Sequence, residues 1–293
     1  MSPGDELYQA ILARTSVRRY SSQPLDSQAL ARVQAIISGV QPLVQGNQYH
    51  VLAGDVEPGE DMVALLGAYG RILSPPHYLV PYITGEHHLV TDLGYRAEQI
   101  AVRLVLAGIG SCYVGCMRNE ERVAARFGLP TGVRIGAMLV YGAPSGATLG
   151  RLVNRLTRTA AGATNKMAAD RLFHADSFDQ PAEPPARLAP LIEAARRAPS
   201  AVNAQPWRFL WHQGALYLFV TARNRRYGTA QQEYRLYDGG ICMANISLAM
   251  EALGVAGAWT VLDPGQGAEI PGHPADLEAL ARLDLDAPDL VEG

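Results

Sequence analysis

The feature that most constrains this chain is that it repeats itself. Asp92 to Tyr113 reads DLGYRAEQIAVRLVLAGIGSCY and Asp238 to Trp259 reads DGGICMANISLAMEALGVAGAW, and the two align without a gap at an offset of 146. Asp92 falls on Asp238, Gly94 on Gly240, Gln99 on Asn245 and Gly108 on Gly254. Each segment is apolar at helical spacing, stops at a glycine and closes on an aromatic residue. A second pair precedes the first: YSSQPLDSQALARVQAII from Tyr20 and FDQPAEPPARLAPLIEAA from Phe178, with Leu30 on Leu188 at an offset of 158. The two offsets differ by 12, so the repeat implies a duplicated unit whose second copy is shorter in its middle by that much. Fused copies of one unit are expected to pack about a pseudo-twofold axis, as the subunits of a C2 dimer do.

The chain of 293 residues is long enough for two such units. Hydrophobic residues make up 48% and charged residues 18%, which suffices for full cores and excludes disorder as the main state. A net charge of −3 argues against nucleic acid as a partner. No apolar run reaches the ~18–20 residues that span a bilayer, and the start MSPGDELYQA carries neither a basic nor an apolar leader region. The expected location is the cytoplasm. The cysteines Cys112, Cys116 and Cys242 form no disulfide framework, and neither cysteine nor histidine spacing predicts a metal site.

Periodicity predicts helices over 5–14, 26–39, 60–72, 92–108, 119–127, 186–197 and 238–253, and strands over 48–53, 77–84, 134–142, 207–212 and 216–221. Strands alternating with segregated helices point to an α+β layered fold. The copies are placed at 1–175 and 176–293, with ADSFDQPAEPP as the linker between them.

Two motifs carry chemistry. In ARTSVRRY, Arg14, Ser16 and Arg18 alternate, so an extended backbone sends all three side chains to one face. Two guanidinium forks and a hydroxyl there match a phosphate; a solvated basic turn after a short helix has the same spacing. In APSAVNAQPWRF, Ser200 and Asn203 hold a turn, Gln205 offers a donor and an acceptor, and Trp207 and Phe209 enter a core. The stretch suits the edge of a flat heterocycle, or an ordinary helix-to-strand loop.

Together the two motifs resemble the flavin-dependent nitroreductase family. Arg-x-Ser-x-Arg-x-aromatic is similar to that family's phosphate site for flavin mononucleotide (FMN), and Pro-Ser-x-x-Asn-x-Gln-Pro-Trp to its flavin-edge loop. The resemblance implies a mixed or antiparallel sheet sandwiched by helices. It implies a cofactor site formed by Arg14, Ser16 and Arg18 with Pro199, Ser200, Asn203 and Gln205. Lys166, the only lysine beside 24 arginines, falls where the family reaches the phosphate with a basic residue, although Asn165–Lys166 replaces the usual arginine–lysine pair. Arg71 falls where a cation stabilises reduced flavin, and equally suits the C-terminus of its own helix. Val114 and Gly115 fall where backbone amides approach the flavin.

Family members are homodimers whose two sites each draw one motif from either subunit. Here the first copy has the phosphate motif but GVQPLVQGNQYHV in place of the edge loop. The second copy has the edge loop but RLFHADS in place of the basic motif. One intact flavin per chain is therefore expected, in a monomeric pseudo-dimer. The implied activity is NAD(P)H-driven reduction of a nitroaromatic or quinone-like small molecule, with FMN carrying the chemistry and no catalytic side chain. The alternative is a non-catalytic protein that binds or sequesters FMN. Arg225 and Arg226 are expected to stand outside the site.

Overall fold

The computed structural model describes residues 2–146, 166–179, 181–266 and 273–286. Its first half contains α1 (Pro3–Ala13), α2 (Ser27–Ser38), β1 (Gln48–Asp55), α3 (Met62–Leu66), β2 (His77–Thr84), α4 (Leu89–Leu106), β3 (Gly110–Gly115), α5 (Glu120–Arg126) and β4 (Ala137–Gly142). The second half contains β5 (Phe173–Ala175), α6 (Ala189–Arg197), β6 (Trp207–His212), β7 (Ala215–Thr221), α7 (Tyr234–Leu253), β8 (Gly257–Val261) and β9 (Leu277–Leu285). Local chemistry sets the boundaries. Ser2 and Asp5 close a capping box on α1 with Pro3 in its first turn, Asp26 caps α2, and α7 stops where Gly254 turns left-handed.

The fold is mixed α+β. One sheet runs β1-β2-β4-β3 and the other β5-β6-β7-β9-β8. All pairings within β1–β4 and within β6–β9 are antiparallel, while β5 joins the edge of β6 in parallel. Leaving β5 aside, the two strand orders are the same. In each half a helix precedes the first strand and a long helix links the second strand to the third. The connections differ. β1 and β2 are joined by residues 56–76, which include α3, whereas β6 and β7 are joined by Gln213 and Gly214 alone. Conversely, 222–233 precedes α7 where four residues precede α4.

The two long helices pack against each other at the centre. Every residue of α4 from Val90 to Val102 is buried. A side chain at Gly94 would meet the Tyr237 carbonyl, and one at Gly240 the Thr91 carbonyl. At the offset of 146, Gly94 corresponds to Gly240 and Thr91 to Tyr237, so the contact is reciprocal. Close backbone approach explains both glycines. The two offsets meet in one further pair of bonds. Asp92 on α4 accepts from the Leu43 amide at 2.9 Å, and Asp238 on α7 accepts from the Ala201 amide at 2.9 Å. Leu43 and Ala201 are themselves 158 apart. Each long helix thus fastens the loop that follows the preceding helix of its own half.

Some elements differ from expectation. The helix expected over 60–72 breaks at Gly67, whose φ is +60°, and continues as a 3₁₀ turn to Arg71. β3, β5, β8 and β9 were not anticipated. β3 and β8 are built from GSCYVG and GAWTV, whose small residues carry no alternating apolar signal. Phe173–Ala175 pairs with the second sheet although the expected boundary assigns it to the first copy. The three cysteines are buried and free.

Candidate cofactor site

The basic motif leaves the C-terminus of α1 and runs beside β3. Ser16 bridges Ser111 in parallel, and the Val17 amide donates to the Ser111 carbonyl at 2.8 Å. Val17 is buried toward the core. Arg14, Ser16 and Arg18 converge on the neighbouring Cys112. Burial raises that thiol's pKa, opposed by the charges of Arg18 and Arg14 and by a hydrogen bond with Ser16. Arg14 is buried and Arg18 is exposed. The Arg14 Nε lies 3.3 Å from Oε1 of Glu98, a fully buried carboxyl on α4. Neither atom completes a hydrogen bond.

The loop after α6 carries the second motif under backbone strain. Val202, Asn203 and Gln205 have φ of +49°, +52° and +48°. A β-branched residue at positive φ is an outlier, and such strain collects at functional sites. Surrounding bonds hold the loop in this shape. The Ser200 hydroxyl accepts from the Gln205 amide at 2.9 Å, and the Gln205 Oε1 accepts from the Met167 amide at 2.8 Å. Asp238 accepts from the Ala201 amide and, at 2.7 Å, from the Tyr227 hydroxyl. Arg226 donates to the Asn203 carbonyl at 2.8 Å. Arg226 was expected to stand outside the site; it is a brace for this loop. Pro199, Ser200 and Asn203 are half-buried and Gln205 is buried.

Lys166 is bonded beside the second motif and lies near Arg14 of the first. Its Nζ donates to the carbonyl of Ala198, the residue before Pro199. Burial pushes its ammonium down to about 8, and the nearby Arg14 charge adds to this while Glu98 opposes it. Asn165 lies outside the described residues. Val114 is buried in β3 and Gly115 is exposed at its end. A side chain at Gly115 would collide with the hydroxyl of Tyr234, which accepts from the Met117 amide at 3.2 Å. The space is thus reserved by the first turn of α7. Arg71 is exposed, and among the described residues it has no ion pair with the other candidates.

Sequence reasoning passed over two buried carboxyls. Burial pushes Glu98 up to about 7 against the opposing Arg14 charge and a bond from Tyr113. Asp238 is likewise pushed up to about 7 by burial, opposed by Tyr227 and the Ala201 amide. Their signal was present: acidic residues on the apolar face of a helix. Among the described residues no His, Cys, Asp and Glu group could hold a metal, and no helix is long and apolar enough to cross a membrane.

The residues present fit FMN. Arg14 offers a buried Nε without a hydrogen-bond partner, and Lys166 adds a second cation that bonds the Ala198 carbonyl at the start of the strained loop.

A protein-family model described as "Putative TM nitroreductase" matches residues 6–250. The crystal structure of a "putative nitroreductase" from Thermotoga maritima MSB8 has a TM-score of 0.56 at 17% identity, covering 96% of this chain and 94% of that one. NfrA2 of B. megaterium has a TM-score of 0.44 at 18% identity, over 57% of this chain and 71% of that one. An NADPH:FMN oxidoreductase from Vibrio harveyi, complexed with NAD+, gives 0.39 at 16% identity over 48% and 69%. No curated protein matches the sequence.

Proposed function

The chain belongs to this nitroreductase family, and from that premise we propose that it is an FMN-dependent oxidoreductase that uses NAD(P)H to reduce a nitroaromatic or quinone-like small molecule. One observation carries the reading: Arg14 of the basic motif and Lys166, which donates to the Ala198 carbonyl at the start of the strained loop, both lie beside the buried Glu98. This supports a site drawn from opposite halves of the sequence.

When bound, FMN supplies the hydride chemistry, and the protein supplies orientation, electrostatics and a cleft. Arg14, Ser16, Arg18 and Lys166 bind the phosphate, where guanidinium forks give bidentate charge-assisted bonds. Pro199, Ser200, Asn203 and Gln205 hold the ring edge. The backbone at Val114 and Gly115 would adjoin the bound flavin, and Arg71 would add a cation that favours the reduced form. No side chain is assigned a proton-transfer or nucleophilic role.

The reciprocal glycine contacts, the paired Asp92 and Asp238 bonds and the repeated strand order support two fused copies about a pseudo-twofold axis. On this reading the chain is a monomeric pseudo-dimer of the cytoplasm with one flavin between its halves. The test is a spectrum of the purified protein and its released cofactor, followed by steady-state NADH and NADPH oxidation with a nitroaromatic or quinone acceptor. Flavin with turnover supports the enzyme. Bound flavin without turnover for either donor makes the chain a flavin-sequestering protein, and no flavin after reconstitution overturns both.

A further inference from the structure

The Arg14 guanidinium faces one anion of the protein, and on the flavin reading it would also serve the cofactor phosphate. In the structure its Nε faces Glu98 at 3.3 Å, and the bond between them is incomplete. Glu98 is enclosed on every side. Arg14 approaches from the end of α1, Tyr113 from β3, Cys242 from α7, and Lys166 from the chain between the halves. Asp238, one turn earlier on α7 than Cys242, also faces Lys166. The Tyr113 hydroxyl donates to the other Glu98 oxygen at 2.8 Å.

A phosphate dianion placed beside Arg14 and Ser16 takes that guanidinium and adds two negative charges to a buried neighbourhood. Glu98 then loses its nearest cation. An unpaired buried carboxylate is costly, and the least expensive response is to take up a proton. The Tyr113 hydroxyl can accept as well as donate, so protonated Glu98 keeps its bond by reversing it.

We propose that Glu98 is a positioning residue that holds Arg14 until the cofactor phosphate arrives, and that phosphate binding is coupled to uptake of one proton by Glu98 from solvent. The inference rests on the flavin reading above. Its sign is definite. With the carboxyl titrating near 7, binding needs no extra proton below that pH. Above it, affinity falls by up to about tenfold per pH unit. Lys166, near 8, adds a second proton above that value, so the diagnostic window lies between pH 7 and 8. The phosphate itself loses its second charge only near pH ~6.

The test is titration of apoprotein with FMN, and with riboflavin as the phosphate-free probe, from pH 6.5 to 8. Calorimetry in two buffers of different ionisation enthalpy counts the protons. The expected result is proton uptake with FMN at about pH 7.5 and none with riboflavin. In Glu98→Gln that uptake falls by most of one proton, leaving only what Lys166 and Asp238 supply, the slope between pH 7 and 8 flattens, and FMN binds as tightly as in wild type or more so. A purely structural Glu98 would instead weaken binding at every pH. If Glu98→Gln fails to fold, Asp238→Asn is the second variant: uptake that persists in it supports Glu98, and uptake that vanishes overturns the assignment. FMN binding without proton uptake overturns this inference alone. Failure to bind either flavin at any pH overturns the flavin reading and this inference with it.

Discussion

Asp92 and Asp238 do the same work for their loops but are neutralised differently. Asp92 accepts from Arg96 at 2.9 and 3.0 Å. At the offset of 146 the counterpart of Arg96 is Cys242, so Asp238 has no arginine one turn on. It keeps Tyr227 and the more distant Lys166, and burial holds its pKa near 7. A carboxyl whose folded pKa is raised binds its proton more tightly folded than unfolded. Its contribution to stability is therefore greatest at low pH and is lost as pH rises from about 4 through about 7. Asp238→Asn should remove that loss: apoprotein melting temperatures of variant and wild type should diverge in the variant's favour as pH rises from 5 to 8. A constant difference across that range would show that Asp238 does not titrate there. For the cofactor, Arg14→Ala and Arg18→Ala should each raise the FMN Kd by about tenfold or more, since a charge-assisted hydrogen bond contributes about 1.5–3 kcal/mol. Asn203 calls for a particular substitution. Its φ of +52° suits asparagine and glycine, so Asn203→Leu would mix backbone strain with the loss of the amide. Asn203→Gly keeps the backbone and removes the amide. FMN affinity should fall by about 1–3 kcal/mol with an unchanged apoprotein melting temperature, and the opposite pattern would make Asn203 a turn former only.

At the scale of elements, strong periodicity was legible and small-residue strands were not. The long helices, α1, α2 and the strand 77–84 stand out because apolar spacing and capping residues agree. β3 and β8 did not, because GSCYVG and GAWTV are short and open on small residues, so each is defined by its partners more than by its own pattern. The motifs of the candidate site were legible because residue type and spacing mark them. Glu98 was not singled out, Asp238 was legible only as a repeat position and Arg226 was placed outside the site, because their roles depend on what a distant segment places beside them. The repeat was legible at Gly94 and Gly240, and the structure supplies its reason: each sits against a carbonyl of the opposing helix. This can be checked. Gly94→Ala and Gly240→Ala should both force α4 and α7 apart and destabilise by about 1–3 kcal/mol each, as overpacked cores do. Denaturant melts of the two variants should agree in size, because the contacts are reciprocal. If one substitution proves neutral while the other is severe, the helices do not cross symmetrically.

At the scale of the whole molecule, the question is how many cofactors two unequal halves can hold. The repeat relates Leu43, Tyr95 and Trp259 to Ala201, Ile241 and Tyr113. Leu43, Tyr95 and Trp259 line a cleft of about 520 Å³ whose charged groups are Glu251 and Asp286. Arg103 reaches this cleft at Glu251, but its guanidinium is paired with that carboxylate at 2.8 Å. β8 is an edge strand, paired only with β9, whereas β3 carries the Ser16 bridge along its free side. Arg96 is spent on Asp92, on the Val44 carbonyl and on the face of Tyr49. A phosphate dianion entering that cleft would meet the Asp286 carboxylate and a Glu251–Arg103 ion pair instead of two guanidinium groups. An arginine already committed to Glu251 and a like charge at Asp286 disfavour a dianion there. The expected stoichiometry is therefore one FMN per 293-residue chain. It is to be measured as absorbance of the released cofactor against protein by amino-acid analysis, with light scattering reporting a single chain. Arg14→Ala should then lower occupancy from one toward zero, with no residual second class of sites. Two flavins per wild-type chain, or a half-occupied residue in Arg14→Ala, would mean that the acidic cleft binds flavin after all and that the halves have diverged less than their motifs imply.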